Sequence, residues 1–141
     1  MSTAPQPIRD DERVAGWGGM AVAGREVRSE NLECLTKDVA LTRGLARSYG
    51  DSSLPPPSRP VVAGTVLADR LIAFDPATGR LRAEAGYSLH DLYRSFLPRG
   101  WFTPVSPGTQ FVTLGGMVAA DVHGKNHHVE GSIGRHIREL K

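Results

Sequence analysis

Residues 71–100 constrain the fold more than any other part of this sequence. The segment opens with the apolar run Leu71-Ile72-Ala73-Phe74. The next five residues are Asp75-Pro76-Ala77-Thr78-Gly79, in which proline fixes φ and glycine takes a positive φ at low cost. Residues 80–85 then alternate polar and apolar side chains, as a half-buried strand does. The pattern predicts a β-hairpin.

An amphipathic helix is predicted directly after the hairpin. Ser88 is placed to cap its first turn, and Asp91 is placed to bond back, which is an acidic variant of the capping box. Pro98 and Gly100 end the helix. Its apolar side chains recur at helical spacing and form one stripe: Leu89, Leu92, Tyr93, Phe96 and Leu97. Strands and helix together predict an α+β fold class.

The rest of the chain predicts one domain built from short elements. Residues 1–12 are expected to form a flexible tail, and residues 13–141 the domain. Within it we expect a short helix from Ser29 to about Thr36 and a buried strand over residues 38–41. Thr113 is placed to cap a small helix that runs to Ala120.

Composition excludes several functional classes. The single cysteine, Cys34, rules out an intrachain disulfide. The charges are mixed in sign, and the aromatic residues are not interleaved with Lys and Arg as a nucleic-acid stacking surface requires. The chain opens without the apolar segment of a signal peptide, and no apolar stretch approaches the roughly 18 residues of a membrane span. We therefore expect a cytoplasmic protein with no nucleic-acid partner and no membrane span.

A first candidate site is the glycine-containing loop over residues 42–51. Gly44 and Gly50 let the backbone turn its N–H groups inward, and such a concave set of donors binds a phosphate anion. Three side chains are placed to add hydrogen bonds to that anion: Arg43, Arg47 and Ser48. An ordinary glycine-containing surface turn is the competing interpretation.

A second candidate site is the stretch over residues 107–117. Gly115 and Gly116 come at the start of the predicted helix, where a ligand can sit against free N–H groups and the positive end of the helix dipole. Tight packing of a helix on a strand also demands glycine, so both interpretations stay open. The chain has neither a G-x-G-x-x-G motif after a strand nor a G-x-x-x-x-G-K-[ST] motif, which argues against a Rossmann site and a P-loop.

A third candidate site, over residues 120–128, is dense in titratable side chains. One interpretation is a zinc site built on three imidazoles: His123, His127 and His128. Gly124 argues against it, because it disfavours the helix that a His pair at i and i+4 needs, and no Cys or Glu completes the ligand set. The alternatives are an active-site loop that faces an anionic or redox cofactor, and a solvated polar turn. Two further histidines are expected to be solvated: His90 and His136.

Taken together, the three segments resemble one family. Residues 43–51 resemble the pyrophosphate loop of FAD-linked oxidases with the vanillyl-alcohol-oxidase, or p-cresol-methylhydroxylase, type of FAD-binding domain. Residues 107–116 resemble the second flavin-binding stretch of that family. The run Asp121-Val122-His123-Gly124-Lys125-Asn126-His127-His128, followed by residues 131–134, is similar to that of the oxidases of decaprenylphosphoryl-ribose epimerases and their relatives. The resemblance covers residues 13–141.

The resemblance implies the N-terminal part of a two-subdomain FAD-binding module with noncovalent FAD, since residues 45–49 lack the His or Cys that would attach a flavin. Tyr49, His123 and Lys125 would face the flavin ring or the substrate, with no metal. Relatives transfer hydride from a sugar carbon to the flavin, so the implied activity is oxidation of a sugar or polyol hydroxyl. The residues that would contact FAD are Thr42, Arg43, Gly44, Leu45, Ala46, Arg47, Ser48, Tyr49, Gly50, Asp51, Ser52, Gly108, Thr113, Leu114, Gly115, Gly116, Ala120, Asp121, Val122 and His123.

Two features depart from the family pattern. Ala46 stands where relatives usually carry a glycine, and the sequence stops at Lys141, where relatives continue into a second FAD subdomain and a substrate domain. We therefore expect the 141-residue chain alone to bind FAD weakly and to be inactive. Two alternatives stay open: a sugar-lactone or alditol oxidase that uses oxygen, and a non-catalytic nucleotide-binding fragment. An epimerase-like enzyme would also have a reductase partner.

Overall fold

The computed structural model describes Arg9 and residues 11–141 and combines short strands with short helices, which confirms the α+β class. The strands are β1 (Arg13–Ala15), β2 (Ala21–Ala23), β3 (Arg25–Arg28), β4 (Thr42–Arg43), β5 (Val61–Gly64), β6 (Leu71–Asp75) and β7 (Arg80–Ala83). The α-helices are α1 (Leu32–Thr36), α2 (Leu89–Phe96), α3 (Leu114–Ala119) and α4 (His127–Glu130). Two 3₁₀ turns cover Leu97–Arg99 and Ile133–His136.

A three-stranded parallel sheet carries the first candidate loop. Its strand order is β3-β5-β4, so the central strand β5 pairs with an edge strand on each side. Val62 and Ala63 of β5 are fully buried. The antiparallel pair β1–β2 packs beside the sheet through a small core formed by Val14, Leu54 and Val62.

Most of the predicted N-terminal tail lies outside the described residues. Glu12, at its end, pairs with Arg25 of β3 at 2.8 Å, and this hydrogen-bonded guanidinium lowers the pKa of the Glu12 carboxyl. The start of β1 is therefore anchored to the parallel sheet.

The predicted hairpin and capped helix are confirmed. β6 and β7 pair antiparallel across a turn in which Gly79 has φ 71°, and Asp75 accepts from the Ala77 N–H and the Thr78 hydroxyl. Ser88 accepts from the Asp91 N–H at 3.0 Å and donates to the Asp91 carboxylate at 2.5 Å. The helix packs one face into the main core, which consists of Tyr87, Leu89, Leu92, Tyr93, Phe96, Val105, Met117 and Ile133.

Three local predictions are wrong. Leu97 is 48% exposed, because the α-helix gives way at this residue to the 3₁₀ turn that contains Pro98. The strand predicted over residues 38–41 lies instead at Thr42–Arg43. The residues between the end of α1 and Thr42 form the connection that brings the chain alongside β5. His90 is not fully solvated: its Nδ1 is buried without a hydrogen-bond partner in the described chain, and its ring stacks on Phe111.

Among the residues described, no helix is both long enough and apolar enough to cross a membrane.

Candidate functional site

The loop that follows β4 presents a run of free backbone donors. Within the described part of the chain, the N–H groups of residues 45–50 donate to no protein acceptor. Ala46 lies in the left-handed region with φ 54°, and Gly50 with φ 63°. Successive N–H groups around a left-handed residue form the kind of backbone nest that binds an anion. We refer to residues 44–52 as the pyrophosphate loop, after the family segment that they resemble.

The two arginines of this segment are engaged by the protein. Arg43 donates to the Glu26 carboxylate and to the carbonyls of Ala15 and Ser53. Arg47 donates to the Leu45 carbonyl at 2.7 Å, and its guanidinium lies 4.9 Å from the centre of the Trp17 ring. The expectation that Arg43 offers its charge directly to a phosphate does not fit this arrangement, because its guanidinium points to protein acceptors.

Ala46 occupies a left-handed conformation that favours glycine, the residue that the family resemblance leads us to expect there. A left-handed backbone costs a residue with a Cβ about 1–2 kcal/mol, whereas glycine loses more entropy on folding, by about 0.5–1 kcal/mol. We expect Ala46→Gly to raise the free energy of unfolding in urea by about 0.5–1 kcal/mol. Ala77→Gly is the control, because Ala77 is an exposed turn residue without a positive φ. Equal losses of stability in both variants would contradict this assignment.

Thr113 and α3 confirm the predicted capped helix but not the predicted ligand site at its start. The Thr113 hydroxyl accepts from the Gly116 N–H at 3.1 Å. The other first-turn donors are also satisfied within the protein: Leu114 by Tyr87, Gly115 by Ala85 and Met117 by Thr113. No free N–H is left for an anion at this helix end. A Cβ on Gly115 would lie 2.9 Å from the Ala85 Cβ, so close packing is the interpretation that the structure supports.

Gly44 joins the first segment to the second. A Cβ added to Gly44 would lie 2.2 Å from Oγ1 of Thr113, which is 1% exposed. The start of the pyrophosphate loop therefore rests directly on the N-cap of α3. The structure thus shows a packing role for both residues, and their predicted contact with the cofactor stays a prediction.

The third segment packs against residues 104–106, just before the second segment, and residues from 102–108 and 123–127 line an open cleft of about 680 Å³. A Cβ on Gly124 would lie 2.9 Å from the Ser106 carbonyl oxygen, and Asn126 donates to the Pro104 carbonyl at 3.0 Å. The hydroxyl of Tyr93, on α2, donates a 2.9 Å hydrogen bond to Ser106 Oγ and so also contacts this stretch. The cleft is lined by side chains and backbone that include Phe102, Gly108, His123, Lys125 and His127.

The structure thus brings His123, Lys125 and Gly108 together and leaves Tyr49 apart. Tyr49 is 86% exposed and does not line the cleft. Its predicted role beside the flavin stays a prediction, as do the roles of the other predicted contact residues. The sequence indicated Tyr93 only as a helix core residue and Asn126 only as part of the third segment, and it did not indicate Ser106, because only contacts across the fold reveal that these residues support the cleft.

Asp121 orients the third segment. It has φ 41° and follows α3 in a Schellman motif, in which its N–H donates to Val118 and the Val122 N–H donates to Met117. Its carboxylate accepts from the Gly134 N–H at 3.0 Å. The carboxylate is thereby committed to the backbone, so the turn that leads to His123 is fixed by local hydrogen bonds.

The histidines of this segment do not form a metal centre in the part of the chain that the structure describes. No group of three His, Cys, Asp or Glu side chains there is arranged to hold a metal ion. His127 Nδ1 lies 3.1 Å from the Gly124 carbonyl, and its ring contacts those of His123 and His128 edge to face.

A family model described as "FAD binding domain" matches residues 34–141. The chain belongs to this family. The chain is also 36% identical to the decaprenylphosphoryl-beta-D-ribose oxidase of Mycolicibacterium smegmatis, in a match that covers the whole of this chain and 32% of that protein. The chain therefore spans about a third of the length of this relative.

Solved structures support the same fold. Alkyldihydroxyacetonephosphate synthase matches 78% of this chain with a TM-score of 0.63 and 17% identity, over 23% of its own chain. Cholesterol oxidase from B. sterolicum matches 86% of this chain with a TM-score of 0.61 and 13% identity, over 27% of its own chain. The family resemblance drawn from the three segments is confirmed, and the cofactor of the family is FAD.

The residues of this chain fit that cofactor. The pyrophosphate loop offers free N–H donors, and a doubly anionic pyrophosphate requires such donors. The cleft formed by residues 102–108 and 123–127 is lined by glycine backbone and by the cationic Lys125, with Phe102 as an apolar wall.

Proposed function

We propose that this chain holds the FAD pyrophosphate on residues 45–50 and lines one side of the flavin with the cleft around His123 and Lys125. The reaction proposed is the oxidation of a sugar or polyol hydroxyl. The run of free N–H donors carries the cofactor part of the proposal. The substrate class is supported by the similarity to decaprenylphosphoryl-beta-D-ribose oxidase along the whole chain.

In the proposed site each segment has a separate task. The bound flavin supplies hydride acceptance, which no protein side chain provides. The backbone of residues 45–50 binds the pyrophosphate without a charged side chain, because the loop arginines are engaged by the protein. Gly108 lines the cleft, and no atom lies within 4 Å of the position that a Cβ would take there, so a flat ring system can approach its backbone.

His123 and Lys125 supply the polar chemistry of the cleft. Both are exposed to it, so both can reach a ligand without rearrangement of the core. The imidazole of His123 is suited to accept the hydroxyl proton of a substrate. The ammonium of Lys125 is suited to hold negative charge on the cofactor or the substrate. An epimerase-like enzyme would pass its keto sugar to a reductase partner, which we include in the proposal.

Titration of the 141-residue chain with FAD, followed by flavin fluorescence, tests the cofactor part. We propose that the chain alone binds FAD weakly and that sugar oxidation needs a further wall over the cleft, because the cleft is open. Saturable binding that ADP weakens supports the pyrophosphate loop. The absence of any binding overturns the proposed FAD site. Sugar-dependent bleaching of the flavin by the chain alone overturns the proposal that a further wall is needed. In an active oxidase that contains this chain, oxygen consumption during sugar oxidation separates an oxygen-using oxidase from an epimerase-like one.

The flavin is expected to be noncovalent. The pyrophosphate loop contains no His or Cys, and Cys34 lies on α1, outside all three segments. Acid precipitation of the FAD-loaded protein should leave the yellow flavin in the supernatant, where absorbance measures it. Flavin that stays with the precipitated protein would show a covalent bond and contradict this expectation.

A further inference from the structure

The pyrophosphate loop is closed at both ends by one buried ion pair. Arg43 precedes the loop, and its guanidinium contacts Glu26 of β3 at 2.6 Å. The same guanidinium donates to the Ala15 carbonyl of β1 at 2.9 Å and to the Ser53 carbonyl, just after the loop, at 3.3 Å. The two charged side chains are only 12% and 13% exposed. One guanidinium thus ties the loop ends to two other strands.

The ion pair crosses the central strand of the sheet at a glycine. Glu26 lies on edge strand β3, Arg43 on edge strand β4, and Arg43 is in register with Gly64 of the intervening β5. A Cβ on Gly64 would lie 2.2 Å from Glu26 Oε1. Glycine at this position therefore leaves the space in which the Glu26 carboxylate reaches across the sheet.

We propose that Glu26 and Arg43 are positioning residues that hold the pyrophosphate loop in its FAD-binding conformation, an inference that rests on the proposed function. A loop whose two ends are tied together has fewer accessible conformations, so its N–H donors lose less conformational entropy when they bind a ligand. Two nitrogens of the Arg43 guanidinium contact one oxygen of the Glu26 carboxylate, and the guanidinium also donates to two carbonyls, so its distance and its direction are both fixed. The N–H groups of residues 45–50 are then held ready for the pyrophosphate before FAD arrives.

This role differs in sign from a direct electrostatic one. Glu26 is negative, so a simple charge argument predicts that Glu26→Gln strengthens the binding of an anion nearby. Positioning predicts the opposite, because the variant weakens the bonds that hold Arg43 and leaves its buried charge poorly compensated. The two explanations are therefore separated by the direction of one change in affinity.

The test compares Kd values for FAD and riboflavin across variants of the full chain. We expect Glu26→Gln and Arg43→Met each to raise the Kd for FAD about tenfold. Riboflavin lacks the pyrophosphate, so its Kd should not change. Gly64→Ala keeps both charges but displaces the Glu26 carboxylate, and it should weaken FAD binding in the same way. The control is Glu84→Gln, which weakens the more exposed Arg70–Glu84 pair at the open end of the β6–β7 hairpin, away from the loop.

Thermal melting without FAD accompanies each titration, so that loss of fold is told apart from loss of loop order. If Arg43→Met does not fold, Glu26→Gln decides, since its amide keeps the shape and one acceptor for Arg43. An unchanged or lower Kd for FAD in Glu26→Gln overturns the positioning role while leaving the proposed function intact. A wild-type chain that binds no FAD overturns both.

Discussion

Gly44→Ala is expected to raise the Kd for FAD about a hundredfold. The new Cβ would lie 2.2 Å from Thr113 Oγ1, 3.0 Å from its Cγ2 and 3.1 Å from its Cβ. Thr113 cannot retreat, because it is 1% exposed and caps α3 through the Gly116 N–H. The pyrophosphate loop must shift instead. Overpacking of this kind costs about 1–3 kcal/mol, and a hundredfold change in affinity corresponds to about 2.8 kcal/mol.

Two comparisons show whether the contact itself is responsible. Gly18→Ala adds the same methyl group where nothing lies within 4 Å, and it should leave the Kd for FAD unchanged. Thr113→Ala removes the clashing hydroxyl and should cost about 1 kcal/mol of stability through the lost cap. A double-mutant cycle compares the free energy of FAD binding in the two single variants and in the double variant. The loss in the double variant should be smaller than the sum of the two single losses. Strict additivity would show that Gly44 and Thr113 act independently.

The hairpin and α2 were predictable because their determinants are local. The turn at residues 75–79 carries its own φ requirement, and the capping exchange between Ser88 and Asp91 spans three residues. The three candidate segments were predictable from glycine and hydrogen-bonding side chains for the same reason. The breakdown of the helix at Leu97 shows the limit, since the apolar stripe continues in sequence while Pro98 changes the backbone.

The roles within the site were not predictable, because they depend on contacts between distant residues. Arg43 in a glycine loop indicates phosphate binding, and only the sheet order places Glu26 within its reach. The start of α3 likewise has the sequence of an anion site. Its donors are taken by the carbonyls of Tyr87 and Ala85, which no sequence pattern places at this helix end. The residue types therefore indicate which groups can bind an anion, and only the folded structure shows which of those groups are left without a protein partner.

The cleft itself is tested by a second large effect. We expect His123→Ala and Lys125→Ala each to lower kcat/KM at least tenfold, equivalent to about 1.4 kcal/mol or more, in an active oxidase that contains this chain. Both side chains are exposed and line the cleft, so their removal should change the free energy of unfolding by less than about 0.5 kcal/mol. The absorbance spectrum of the bound flavin should shift as well, because the polar groups beside it change.

His128→Ala is the matched control for this test. His128 belongs to the same histidine-rich segment and is equally exposed, yet it does not line the cleft. Its replacement should leave both the kinetics and the flavin spectrum as they are. If all three variants lose activity alike, the conformation of the whole segment matters for activity, and the side chains of His123 and Lys125 have no separate role. If none does, His123 and Lys125 belong to a solvated turn, and the reacting side chains must be sought on whatever covers the open side of the cleft.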